Sequence, residues 1–563
     1  MATRSHSPSS TTTTTTGRIA SDGIPQATLR VHTRDNVRVA LKDLPAGSTI
    51  EDNGRVLQLV EAVRHKHKFA LVDLEEGDTV IMYGVTVGRA SRPIRAGEMI
   101  RTDNLEHSTD NSAAVQRQQA WQAPDVSAFQ GLTFDGYHRP DGQVGTANIW
   151  LVVPLVFCEN RNIEVLRQCV ADALGDDPYQ DYKRMARAML NGEAPQDKGT
   201  AASSDQASPF PNVDGVRFLT HTLGCGGTDD DAQALCQLLA GYITHPNVAG
   251  ATVLSLGCQK AQIAMLKQAV AKRDPQGLRP THYLEQQATA SEDALIREAL
   301  STIFDGLKEA NRLTRAPAPL SKLRIGVECG GSDGFSGLSA NPVVGATIDR
   351  LVALGGSGIL SEFPELCGVE HELLARCTDD SIAKRFTELM EAYQRHAASV
   401  GAAFSMNPSP GNIRDGLITD AMKSAGAAKK GGDSPVVDVL DYTEPATRSG
   451  LSLLCTPGND VESTTALVGS GANLVIFTTG LGTPTGNPIA PVVKVASNSE
   501  LAQRMADIID FDTGAIIRGE ATIDELADEL LKLCIASASG HYATRAVSLA
   551  QHDFIPWKRG VSL

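Results

Sequence analysis

The sequence predicts a multidomain α/β protein, in which a small N-terminal all-β module is followed by two α/β domains with largely parallel sheets. Three observations carry this. At 563 residues the chain has room for several domains with large cores. Between Thr28 and Asp103, short runs such as "TLRVHT", "NVRVALKDL" and "HKFALVDL" are split by turn residues, as in small all-β modules. From Ile149 onward, apolar β-rich runs alternate with helical periods, which makes right-handed βαβ units and a parallel sheet covered on both faces.

In order along the chain, residues 1–27 read as a disordered tail, because no amphipathic helix can be drawn through six consecutive threonines. Residues 28–105 form the β module and 106–127 a polar linker. A middle α/β domain spans 128–280 and a C-terminal α/β domain 281–563, with a polar surface insertion near residues 180 to 210. In the α/β region "IWLVVPLVF" ends at Cys158, "VRFLTHT" just before Cys225, "ATVLSL" just before Cys258 and "LRIGVE" at Cys329. Four times a strand stops, a cysteine appears and a helix begins. Ligands of such sheets bind beyond the carboxyl ends of the strands, so these cysteines fall where a site belongs.

Composition narrows the function. A formal net charge of −15 opposes a nucleic-acid partner, and the densest basic cluster, "RHKHK" at 64–68, is too short to reverse that. No apolar run reaches the length of a membrane span. Ten cysteines with no secretory signal suit free thiols in a reducing, cytoplasmic setting. "GLGTPTG" lacks the dinucleotide fingerprint, and neither a Walker A sequence nor G-x-S-x-G occurs.

Cys169, Cys236, Cys377 and Cys534 lie within helical periods and read as core. Cys225, Cys258 and Cys329 stand in loops beside glycine, where a thiolate meets backbone N–H groups or a metal. No C-x-x-C pair exists, so any metal would be assembled from separate strand ends, and thiolate with His or carboxylate suits iron. His221, Glu328, Asp333, Glu362 and Glu365 are candidate co-ligands; His221 reads equally as a satisfied core histidine. Glu362 and Glu365 share a face if "LSEFPE" opens a helix, and otherwise read as a solvated pair.

The motifs "GYHRPDGQVGTAN", "FLTHTLGC", "LSLGC", "ECGGSDGFSGLSANP", "SEFPE", "NPSPGN", "KSAGAAKKGG", "TPGND", "FTTGLGTP" and the tail "KRGVSL" occur in the order found in the altronate and galactarate dehydratase family, which the chain resembles after residue 27. The "ECGGSDG" form and the tail look closer to the altronate branch. The resemblance implies an N-terminal SAF-type module and removal of water from a sugar acid to leave a 2-keto-3-deoxy acid. It also implies dependence on Fe2+; an Fe–S cluster on three cysteines with an open iron position, or Mn2+, is the cofactor alternative. On that basis the metal ligands are Cys225, Cys258 and Cys329, and the acid–base candidates are His221 and Asp333. His32, Asp35, Asn36, His67, Ser332, Asn407, Ser409, Asn412, Asn459, Asp460, Thr478 and Thr483 are substrate-binding candidates. The partner is a small hydroxy acid, in a chain that is a candidate homo-oligomer. Ala147, Gln259, Ile413 and Leu481 stand where the family usually carries charge. That loss keeps open a diverged member acting on a less charged hydroxy acid, or a relative that binds without turnover.

Overall fold

The computed structural model describes residues 27–52, 54–108, 120–175, 177–193 and 208–562. The expected tail therefore falls almost wholly outside the described residues, as do the centre of the linker and residues 194–207 of the expected insertion. The N-terminal module consists of short antiparallel strands in small sheets, with Val37, Val39, Phe69, Val80 and Val87 turned inward.

The middle domain carries a four-stranded sheet of β1 (Ile149–Pro154), β2 (Gly215–Phe218), β3 (Val248–Ser255) and β4 (Thr281–Glu285) in the order β2-β1-β3-β4, all parallel. The expected boundary at 280 falls inside this sheet. Strand β4 completes it, and the helix Glu292–Ala310 buries Leu295, Ala299, Ile303 and Leu307 in its core. A five-residue strand, "THYLE", has only one buried position and gives little apolar signal of its own.

The C-terminal domain is built on seven parallel strands, β5 (Arg324–Cys329), β6 (Ser357–Leu360), β7 (Val436–Leu440), β8 (Gly450–Leu454), β9 (Leu474–Thr479), β10 (Val492–Ala496) and β11 (Phe511–Asp512). Their order is β7-β8-β6-β5-β9-β10-β11. Strands β5, β6, β8, β9 and β10 are buried along almost their whole length, as a sheet covered on both faces requires. The helices used below are α1 (Asn160–Leu174), α2 (Asp229–Ile243), α3 (Ile263–Arg273), α4 (Ala340–Ala353), α5 (Asp420–Ala427) and α6 (Asp460–Gly469).

The two sheets share one apolar core, to which β1, β3, β9, α2 and α6 all contribute. Their starting edges are stitched together: Thr146 Oγ1 donates to Asn473 O at 2.6 Å and Asn247 Nδ2 to Ile489 O at 2.8 Å. Both sheets therefore run away from this seam. No helix among the described residues is long and apolar enough to cross a membrane.

Candidate active site

Strand β5 ends in Glu328 and Cys329, both fully enclosed by neighbouring strands. The chain leaving the adjacent β6 turns at Glu362, whose φ of +66° is left-handed, into a short 3-10 turn, Phe363–Leu366, that carries Glu365. A non-glycine residue held in that region costs of order 1–3 kcal/mol, so the surroundings must fix it. The Glu362 N–H donates to Thr456 Oγ1 at 2.8 Å. The turn aims both carboxylates at Cys329. Its Sγ donates to Glu365 Oε2 at 3.2 Å and lies 3.7 Å from Glu362 Oε2.

Two buried lysines complete the cluster. Lys430, in the turn after α5, donates to Glu362 Oε2 at 2.6 Å and to Cys329 Sγ at 2.8 Å. Lys423, on α5, meets Glu365 Oε1 at 2.6 Å and donates to Asn407 Oδ1 at 3.0 Å. Beneath them Glu328 accepts from Ser463 Oγ at 2.6 Å and Ser361 Oγ at 3.1 Å.

Burial and then the Glu362 charge push the Glu328 carboxyl well above the usual carboxylate range. Burial and then the Glu365 charge do the same to the Cys329 thiol. Glu365 is held low: burial opposes its charge, but Lys423 and Lys430 outweigh it. Lys430 stays firmly cationic because Cys329 and the carboxylates overcome its burial.

Cys329, Glu362 and Glu365 offer one sulfur and two oxygens within 4.8 Å of one another. Glu362 Oε1 and Glu328 Oε1 are buried without a hydrogen-bond partner. One thiolate, two carboxylates and an unsatisfied oxygen fit a ferrous or manganous ion, with thiolate favouring iron. Binding would release the Cys329 proton, since a metal takes the thiolate.

Asp460, the first residue of α6, borders the cluster. A Cβ at Gly330 would collide with its carboxylate, so the glycine after Cys329 is what lets Asp460 approach. Burial, followed by the charges of Glu362 and Glu365, raises its pKa to about 6. The next small residues serve the same purpose: a Cβ at Gly334 would strike the Lys66 backbone, and one at Gly337 the Tyr83 hydroxyl. The run of Gly and Ser in "ECGGSDGFSG" is a surface on which the N-terminal module and Asp460 both close.

The remaining sequence candidates divide by place. Asn407 joins the cluster through Glu365 and Lys423. Thr478 is the β9 neighbour of Cys329 and donates to Asn341 Oδ1 at 2.7 Å. Asn459 caps α6. Ser409 and Asn412 form a capping box, and Asn412 Nδ2 donates to Ser332 O at 2.7 Å, while Ser332 Oγ is buried without a partner. Thr483 presents its carbonyl to Lys494 at 2.9 Å.

Asp333 does not enter the cluster. Its Oδ1 accepts from the Phe335 and Ser336 N–H groups and from the Ser336 and Ser497 hydroxyls, and its Oδ2 pairs with Lys66 at 2.9 Å. His221 has both ring nitrogens engaged by backbone, Nε2 with Pro154 O at 2.7 Å and Nδ1 with the Leu223 N–H at 3.1 Å, and burial lowers its pKa to about 4. Cys225 and Cys258 stand in the loops that follow β2 and β3 in the other sheet, and among the described residues Cys329 is grouped only with Glu362 and Glu365.

In the N-terminal module, Asp35 accepts from the His32 and Gly84 N–H groups, Asn36 bridges Thr79 and Ile81, and His67 lies against Gly416. Of the positions that stand where charge is usual, Gln259 is buried and bonded to Ser255 Oγ and Ala261 O. Leu481 packs beside Gly331, and Ile413 lies in the short helix Pro410–Arg414. Ala147 lines a cavity of about 190 Å³ with Arg217, Arg315 and His552, away from the cluster. Sequence reasoning did not single out Lys423 and Lys430, whose only signal was the motif "KSAGAAKKGG".

Comparison with known proteins gives three family matches along the chain. The altronate/galactarate dehydratase SAF domain matches residues 26–108, the D-galactarate dehydratase/altronate hydrolase second domain 136–311, and the D-galactarate/altronate dehydratase C-terminal domain 320–562. Altronate dehydratase of Bacillus subtilis (strain 168) is 33% identical over 540 residues, 95% of this chain and 99% of that protein. Altronate dehydratase of Escherichia coli (strain K12) is 34% identical over 513 residues, covering 91% and 95% of the two chains. Galactarate dehydratase (L-threo-forming) of the same strain is 31% identical over 531 residues, covering 93% and 95%.

Proposed function

Because this chain belongs to the altronate and galactarate dehydratase family, we propose that it is a hydro-lyase that removes water from an altronate-like aldonate or an aldarate to give a 2-keto-3-deoxy acid. The observation that carries the reading is the gathering of Cys329, Glu362 and Glu365 at the ends of adjacent parallel strands, with Asp460 across Gly330 from them.

The reaction asks for a base that takes a weakly acidic proton beside a carboxylate, and for positive charge where the enediolate develops. Asp460 suits the first task. Its pKa of about 6 leaves it ionised near neutrality yet basic enough to hold the proton on a carboxylate oxygen. Lys423 and Lys430 supply fixed positive charge that needs no reorganisation as the substrate changes. Asn407, held by Lys423 and Glu365, is placed to orient a hydroxyl. A ferrous ion held by Cys329, Glu362 and Glu365 would add Lewis-acid stabilisation of the substrate's oxygens. His221, engaged by backbone at both ring nitrogens, and Asp333, held by Ser336, Ser497 and Lys66, are assigned to holding the fold. With all ten cysteines free, the reading places the enzyme in the reducing cytoplasm.

The test is an anaerobic screen of aldonates and aldarates with ferrous iron, following 2-keto-3-deoxy acid release. Release from an aldonate or aldarate, abolished in Asp460→Asn, supports the reading. A folded, iron-loaded protein that releases no keto acid from any of them overturns it.

A further inference from the structure

The other three strand-end cysteines form a second constellation. Strands β2, β1 and β3 are neighbours in one parallel sheet, and the loops leaving them carry Cys225, Cys158 and Cys258. These loops are pinned to one another by backbone bonds: Phe157 N–H to Leu223 O at 3.0 Å, Lys260 N–H to Cys225 O at 3.2 Å, and Ala261 N–H to Gly224 O at 3.0 Å. Gly224 has a φ of +96°, and a Cβ there would run into the Leu155 carbonyl, so the Cys225 loop lies directly on the chain that leads to Cys158. Cys225 and Cys258 both lie near enough to Cys158 for their charges to act on it. Cys158 and Cys258 are exposed and Cys225 half-buried, unlike Cys236, Cys377, Cys455 and Cys534, which are packed into cores.

Helices α1, α2 and α3 begin at Asn160, Asp229 and Ile263, a few residues after Cys158, Cys225 and Cys258 respectively. A helix N-terminus carries roughly half a positive charge, which at α2 is met by Asp229, Asp230 and Asp231. Lys260, paired with Asp229 at 2.9 Å, donates to Gly227 O at 2.9 Å and so ties the Cys225 loop to the loop of Cys258. Gln287 Nε2 donates to Cys258 Sγ at 3.3 Å. Burial and then the Cys225 charge raise the Cys158 pKa, so a metal binding there would take its thiolate with release of a proton.

Spacing decides what they hold. A single tetrahedral zinc or iron ion with metal–sulfur bonds of about 2.3 Å draws its sulfurs to about 3.8 Å from one another. The three sulfurs do not all lie within 4.8 Å of one another, as the ligand atoms of Cys329, Glu362 and Glu365 do. A sulfide-bridged cluster spreads its thiolates further, because each binds a different iron.

We propose that Cys158, Cys225 and Cys258 ligate an iron–sulfur cluster, with one iron left without a protein ligand and open to solvent. This site is separate from the Cys329 cluster and does not rest on the dehydratase reading.

The experiment is anaerobic reconstitution of the full chain with ferrous iron and inorganic sulfide, measuring acid-labile sulfide per chain and visible absorption near ~400 nm. Wild-type protein and Cys329→Ser are expected to take up about four sulfides per chain, and the triple variant Cys158→Ser/Cys225→Ser/Cys258→Ser none. The single variant Cys258→Ser changes only an exposed side chain, so with an unchanged far-ultraviolet circular dichroism spectrum it must by itself lower the sulfide content at least twofold. Equal sulfide in the triple variant and the wild type overturns the proposal. So does tight binding of one metal ion, without sulfide, by the three thiols.

Discussion

Lys430 offers the sharpest test of the site's electrostatics. Its ammonium is 1% exposed, as is Glu362, and it bridges Glu362 Oε2 at 2.6 Å and Cys329 Sγ at 2.8 Å. Lys430→Met keeps most of the stem's packing but strands a buried carboxylate, a change that costs about 3–5 kcal/mol. For a domain the size of residues 320–562, each kcal/mol lowers the melting temperature by about 2–4 °C, so a drop of about 6–20 °C is expected. Scanning calorimetry of chelator-treated protein reads it. The double variant Glu362→Gln/Lys430→Met removes both charges and leaves no bare ion, so it should regain at least half of the loss. A single variant within ~1 kcal/mol of wild type, or a double variant no better than the single, would refute the picture of a mutually dependent buried pair.

Cys329→Ser is expected to keep the fold while weakening ferrous-iron binding by at least about 10-fold, and a chelator should abolish keto-acid release by wild type; metal titration and activity check both. With Asp460 as base, kcat/KM rises with pH through about 6, and Asp460→Asn removes that limb with a rate loss of about 10²–10⁴, read from a pH–rate profile. Asp420 raises the pKa of His107 above its ordinary value, more than burial lowers it. That contact therefore stabilises fully below about pH 6.5 and is lost as pH rises through the raised value. Hydrogen exchange in the N-terminal module should quicken at alkaline pH, and His107→Ala should flatten the trend. Gly330→Ala should displace Asp460 and cut kcat with little change in melting temperature, checked by steady-state kinetics beside a thermal scan.

The fold was legible because its parallel strands are continuous apolar runs, each stopped by a cysteine or a small-residue loop, as at "LRIGVEC" and "NLVIFTT". Strand β4 was not, since one buried position in five leaves no pattern to read. In the site, Cys329 and the three-residue spacing of Glu362 and Glu365 stood out as chemistry in small-residue surroundings. Lys423 and Lys430 were invisible for a physical reason: in "KSAGAAKKGG" lysine reads as solvated, and only the three acids and the thiol from distant segments turn burial from a penalty into a partnership. His221 reads identically in sequence whether it serves chemistry or caps backbone groups. Its partners, Pro154 O and Leu223 N–H, decide the matter and carry no side-chain signature.

The N-terminal module acts on this site by fixing loops, with none of its side chains in the cluster itself. Lys66, at a left-handed φ of +71°, places its ammonium 2.9 Å from Asp333 and 3.5 Å from Asp415, and Lys68 Nζ donates to Gly416 O at 2.6 Å. Asp333 lies four residues after Cys329, and Asn412, just before Asp415, holds Ser332 O. The module therefore clamps the two chain segments that leave Cys329 and lead into Lys423. Burial disfavours the Lys66 charge, yet the two aspartates keep its pKa raised, so the clamp stays charged across the neutral range. A site whose ligands come from β5, β6 and α5 has no single element to hold it rigid. Docking a separate β module against Gly334, Gly337 and Gly416 supplies that rigidity from outside, which is why those positions cannot carry a side chain.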